Sequence, residues 1–131
     1  MQADDIKALS NVRLSHALEC LDTARKVMEL GDYKCAANRS YYAVFHAMRA
    51  VLAYDNIDAK KHSGVISEFR RLYVKTDVFD REMSDTITNL FDIRTDSDYD
   101  DFFIISKEEV EKQVAFAGKF VAKVKDFLEN K

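Results

Sequence analysis

Apolar residues recur at three- and four-residue spacing through most of the chain, broken by short polar stretches, and this spacing predicts helices. Between residues 4 and 30, Leu14, Leu18, Leu21, Arg25 and Met28 form the repeat, with Ala17, Cys20, Ala24 and Val27 widening the apolar face. Gly31-Asp32 closes this first helix, glycine suiting the left-handed backbone beyond a helix end. A second helix is predicted over residues 33 to 55. At 100° per residue, Ala37, Tyr41, Val44, Phe45, Met48, Val51 and Leu52 share an arc about 120° wide. Beside it run Ala36, Ser40, Ala43, Ala47 and Ala50, small enough to admit another helix closely. The remaining arc carries Arg39, Tyr42, His46 and Arg49.

A polar connection, Asp55 to Lys61, leads to a short helix over about residues 62 to 74, with Ile66, Phe69 and Tyr73 on one face. The fourth helix begins near Asp80, a good N-cap residue, and turns Met83, Ile87 and Leu90 inward. The acidic run Asp96-Ser97-Asp98-Tyr99-Asp100-Asp101 reads as a turn that interrupts the pattern. The last helix starts at Ser106, where Ser106 and Glu109 form a capping box, and Val110, Val114, Ala117, Val121, Val124 and Leu128 line its inner face, flanked by Phe116, Phe120 and Phe127. Four long helices and one short one predict a single all-α domain over residues 1–131: an up-and-down antiparallel four-helix bundle with an additional short helix.

Composition narrows this further. With 131 residues, no Pro and three Gly, the chain has too few turn formers for a many-stranded sandwich or barrel. No stretch approaches about 18 uninterrupted apolar residues, so no membrane association is expected. The acidic N-terminus lacks the basic and apolar regions of a secretory signal, which predicts a cytoplasmic location. Cys20 and Cys35 stand alone and read as packing thiols. The net charge of −3 conceals a segregation: residues 33–75 carry eight Lys/Arg against three Asp/Glu, whereas residues 76–111 carry three against twelve. Such polarity suits a phosphate-bearing ligand or self-association of opposite surfaces, and solvated helix faces also produce it.

Arg94 extends the inward face of the fourth helix beyond Leu90, and Asp98 follows four residues later. A guanidinium on an apolar arc is costly unless paired; Asp98 can pair it, with Tyr99 adjacent as a hydrogen-bonding neighbour. The same pair fits an internal salt bridge and a ligand or dimer site. Asp96, Asp98 and Asp100 match the start of a calcium-binding EF-hand loop, but Asp101 stands where glycine is needed and Lys107 where glutamate is. His16, His46 and His62 lie on separate elements without zinc-ligand spacing, so no metal and no cofactor is expected. The stripe Arg39, Tyr42, His46 and Arg49 combines cations with stacking surface, as single-stranded nucleic acid binding requires. Lys60, Lys61 and His62, at a helix N-terminus, add candidate phosphate contacts.

Arg39-Ser40-Tyr41-Tyr42-Ala43-Val44-Phe45-His46, Lys61-His62-Ser63-Gly64-Val65-Ile66 with Phe69, and Arg94 followed by Asp98-Tyr99 resemble, in order and spacing, the HEPN domain (higher eukaryotes and prokaryotes nucleotide-binding). The resemblance spans about residues 10 to 128. It implies a helical bundle, commonly a homodimer, that acts with a minimal nucleotidyltransferase as a toxin–antitoxin or defence module and binds nucleotide or RNA. Many such proteins are metal-independent ribonucleases that use an Arg and a His separated by four to six residues. Here Arg94 matches the Arg, but Tyr99, Asp100 and Asp101 occupy the His positions. Two expectations follow from the resemblance. One is a binding and interaction protein; the alternative is a ribonuclease with a composite site of Arg94, Asp98 and Tyr99 at the homodimer interface, helped by His46 or His62. The resemblance also implies Tyr99 as an acceptor for a nucleotidyl group.

Overall fold

A computed structural model describes residues 2–131 as five α-helices: α1 (Ala3–Glu29), α2 (Tyr33–Tyr54), α3 (His62–Phe69), α4 (Arg81–Tyr99) and α5 (Lys107–Glu129). The all-α bundle expected from the periodicity is the observed fold, and no strand occurs among the described residues. The helix starts follow side-chain chemistry. Asp32, Asp80 and Ser106 accept hydrogen bonds from the backbone N–H of Cys35, Met83 and Glu109 at 3.2, 3.0 and 3.0 Å. Gly31 after α1 has φ +83°, the left-handed region that glycine enters without strain.

Helix α2 is the centre of the molecule and packs against each of the other four helices. Its small residues Ala36, Ser40, Ala43, Ala47 and Ala50 are fully buried, as are Ala17 and Ala24 of α1, and the two backbones meet closely enough for Ser10 Oγ to donate to Ala50 O at 2.8 Å. Its larger arc, Tyr41, Val44, Met48, Val51 and Leu52, joins Phe69, Ile87, Leu90, Phe120 and Val124 in the main core.

Three expectations need correction. Leu18, expected inward, is 39% exposed: the buried positions of α1 are Ser10, Ala17, Leu21 and Ala24, so small residues as well as leucine set its buried face. The acidic run does not interrupt α4, which continues through Tyr99; Ser97 is buried there, and the turn begins only at Asp100. The third helix does not run evenly to residue 74. After Phe69 it widens into one π-helical turn, Arg70–Val74, closed by Lys75 N–H donating to Arg70 O at 2.9 Å. Arg70 ties that turn to α4 by donating from Nε to Ser84 Oγ and from Nη2 to Ser84 O, each at 2.9 Å.

The cysteines are free and half-buried. Cys20 packs against the main core, and burial pushes its thiol up. Among the described residues no helix is long and apolar enough to cross a membrane.

The α1–α2 seam has no room for a larger side chain. Ala43→Leu is expected to destabilise the fold by about 1–3 kcal/mol, the cost of overpacking a filled core, read as a lower urea midpoint at unchanged slope. An unchanged midpoint would contradict the close approach.

Candidate functional site

Helix α4 carries Arg94 back toward the middle of α2. Its guanidinium carbon lies 5.6 Å from the ring centroid of Tyr41 and 5.9 Å from that of Tyr42, and Nη2 donates to the Tyr42 hydroxyl at 3.3 Å. Nε is 3.0 Å from Asp98 Oδ2, one turn on, so the expected ion pair forms. The Nε–H is not aimed at that carboxylate and makes no hydrogen bond, so the contact is charge against charge. The Arg94 side chain is only 20% exposed. A partly desolvated cation–π contact contributes about 0.5–2 kcal/mol and an exposed ion pair about 0.2–1 kcal/mol. A charge-assisted hydrogen bond to phosphate, at about 1.5–3 kcal/mol, outweighs the Asp98 contact.

His62, the first residue of α3, folds in beneath this cation. Its Nδ1 is 2.5 Å from the Tyr41 hydroxyl, and its ring stacks on Phe45 at 4.3 Å between centroids with 16° between planes. Tyr42 meets the same imidazole edge-on at 5.8 Å. Burial pushes the Tyr41 phenol up, and burial followed by the charges of Arg94 and Arg49 lowers His62, so both groups are neutral at neutral pH. A neutral imidazole keeps one donor and one acceptor nitrogen, and its tautomer sets which partner of the Tyr41 contact gives the proton.

The rest of the α2 stripe continues from there. Arg39 lies 5.0 Å over Tyr42, braced by hydrogen bonds to Asn38 Oδ1 at 3.1 and 2.7 Å, and Arg49 lies 5.9 Å over Phe45. His46, between them, contacts His16 of α1 edge-on at 5.5 Å. Burial and the neighbouring His16, Arg49, Arg39 and Arg13 hold its pKa down at about 4. A recess of 540 Å³ between α3 and α4, rimmed by Arg70, Arg71 and Lys75, adjoins the group through Phe91, whose ring is 5.9 Å from that of Tyr41.

Arg94, Asp98, Arg39, Tyr42, His46, Arg49 and His62 therefore gather on one face. Three of the expected residues do not: Tyr99, Lys61 and the exposed Lys60. Tyr99 is 81% exposed and gives Arg94 no hydrogen bond; one residue past Asp98 turns it about 100° around the helix, and Tyr42 makes the contact expected of it. Lys61 caps α3 by position without a side-chain hydrogen bond and stays in solvent. Tyr41 and Phe45, read as core, form the floor of the site. Their signal was the four-residue step that places them beside Tyr42 and His46.

The family model described as the HEPN domain matches residues 10–127. The chain is a member of the HEPN family. It is 31% identical over 114 residues to a "UPF0332 protein" of Thermotoga maritima, covering 87% of this chain and 86% of that one. Two proteins of Methanocaldococcus jannaschii named "Putative toxin" are similar as well: 31% over 118 residues (90% of this chain, 80% of the other) and 32% over 125 residues (95% and 90%). In this HEPN chain the imidazole that shares Arg94's tyrosine seat comes from α3, not from the residues following Arg94. No group of side chains suited to hold a metal ion occurs among the described residues.

The lowered histidines give the fold an acid limit. Since His46 and His62 bind protons less readily folded than unfolded, stability is full above the unfolded value near 6.5 and falls as pH drops from there toward about 4. His46→Gln is expected to flatten the decline of Tm with pH across that window, and the His46 ring resonances to titrate near 4. Titration near 6.5 would contradict the packing.

Proposed function

We propose that this HEPN protein is a toxin-type member that binds RNA or nucleotide phosphates on the Arg94 face, works as a homodimer, and pairs with a minimal nucleotidyltransferase. The observation that carries the binding reading is Arg94 held against Tyr41 and Tyr42 with Arg39 and Arg49 on the same face. These cations attract phosphate, and the part-exposed rings of Tyr42, His46 and His62 offer planar surface to bases, which suits single strands whatever their sequence. The overall net charge of −3 is unevenly spread: residues 33–75, which supply Arg39, Arg49 and His62, carry eight Lys/Arg against three Asp/Glu. The names of the M. jannaschii relatives support the toxin role. The homodimer and the nucleotidyltransferase partner rest on the family resemblance.

A second reading, a metal-independent ribonuclease, is favoured by one contact, Tyr41 OH to His62 Nδ1. In it His62 Nδ1–H donates to the Tyr41 oxygen, which leaves Nε2 to take the proton of a ribose 2′-hydroxyl while that oxygen attacks the phosphorus. The bond to the 5′-oxygen breaks as that oxygen takes the proton from the His62 imidazolium, and Arg94 neutralises the charge on the phosphorane. The products are a 2′,3′-cyclic phosphate and a 5′-hydroxyl.

One experiment separates the readings. Fluorescent single-stranded RNA is incubated in EDTA with the protein and with its Arg94→Ala and His62→Ala variants, and both binding and chain length are followed. Binding is expected to weaken about tenfold in Arg94→Ala, the loss of one charge-assisted phosphate contact. Cleavage that vanishes in both variants establishes the ribonuclease; binding without cleavage establishes the binding module. Binding unaffected by Arg94→Ala would overturn both.

A further inference from the structure

Beyond the Arg94 seat, the same face carries a pair of arginines from different helices that share one carboxylate. Arg13 of α1 and Arg49 of α2 place Nη2 atoms 3.5 and 3.6 Å from the same oxygen, Oδ1 of Asp58. Arg13 Nη1 donates to Arg49 O at 3.3 Å, which fixes the two helices at this point. The arginines are well covered, their side chains 11% and 23% exposed, whereas the Asp58 side chain is 60% exposed and lies in the connection between α2 and α3. Two built-in, desolvated cations are thus neutralised by one solvent-facing anion at distances too long for good hydrogen bonds. Beside them Arg49 Nε and His46 Nδ1 are cut off from water without a partner, so the pair retains unused polar capacity.

We propose that Asp58 is a placeholder and that the Arg13–Arg49 pair is a phosphate site, occupied in the bound state by a backbone phosphate of single-stranded RNA while Asp58 swings into solvent. A phosphate brings more acceptor oxygens than the one Asp58 uses here, and two guanidinium groups can engage them together. The site continues the first one: Arg49 lies over Phe45, Phe45 stacks on His62, and His62 is bonded to the Tyr41 that carries Arg94. With the part-exposed ring of His62 between them, the two cations follow the order in which a single strand presents phosphate, base and phosphate. The RNA as occupant rests on the function proposed above; the affinity of the arginine pair for phosphate does not.

Asp58→Asn is the informative variant, since removing a competitor strengthens binding where removing a contact weakens it. Affinity for a fluorescent single-stranded RNA is expected to rise roughly twofold to fivefold, the range that loss of one exposed ion pair spans. Asp85→Asn, the same charge change at an exposed position of α4, is expected to change it less. Arg13→Gln is expected to weaken binding, to cancel the gain in the double variant, and to reduce the salt slope of log K by about 0.7, one phosphate contact on a single strand. Inorganic phosphate, followed through the Arg49 Nε–H resonance, is expected to bind Asp58→Asn more tightly than the parent. An Asp58→Asn that unfolds at lower temperature and binds RNA and phosphate no better than Asp85→Asn would overturn the placeholder and leave Asp58 a tether. If phosphate binding tightens but RNA binding is insensitive to Arg94→Ala, the phosphate site stands and the RNA reading fails.

Discussion

A guanidinium withdrawn from water must recover its lost hydration from the groups around it, and the site is organised by how Arg94 does so. Two tyrosine faces, one phenolic hydroxyl and one carboxylate oxygen surround it. None of these contacts is strong alone, at about 0.2–2 kcal/mol each. Together they hold the charge in place yet leave it under-satisfied, with its Nε hydrogen unbonded. A cation kept in that condition is positioned for an anion stronger than a single carboxylate.

What makes the seat possible is the central helix. The alanine side of α2 draws α1 in close, and the larger apolar arc anchors the core. The third side is thereby left to Arg39, Tyr42, His46 and Arg49, each at the edge of a packed surface. Because α2 touches every other helix, groups from α1, α3 and α4 reach that edge: Arg13 and His16, His62, and Arg94 with Asp98. The partial burial that lowers His46 and His62 is the same desolvation on which the proposed hold of these cations on a phosphate rests.

Much of this was legible in the residues, and where it was not the reason is physical. The stripe on α2 and the Arg94–Asp98 pair follow from helical angle alone, since both lie within one helix. Leu18 misled because leucine weighs more than alanine in any apolar pattern, while close helix packing selects the smaller residue. The π-helical turn at Arg70–Val74 has no composition signature; it shows only when the Lys75 N–H reaches back five residues. The aspartates around Tyr99 suggest a turn because Asp is common in turns, yet α4 continues through Tyr99, and the helical angle points Tyr99 away from Arg94. The Arg13–Asp58–Arg49 group and the Tyr41–His62 bond join residues 9 to 45 positions apart on different elements, which no local spacing can announce. The family resemblance supplied the order of the motifs but not the identity of the imidazole nearest Arg94.

The central claim is that one cationic, aromatic face of the bundle meets the phosphate-bearing ligand. Nuclear magnetic resonance of the labelled protein titrated with a short single-stranded oligoribonucleotide maps that face directly. The account predicts that the arginine Nε–H signals of Arg94 and Arg49 and the ring signals of His62 and Tyr42 move most, and move together in one binding curve. Shifts confined to the exposed Tyr99, Phe102 and Ile104, with the arginine signals unmoved, would contradict it.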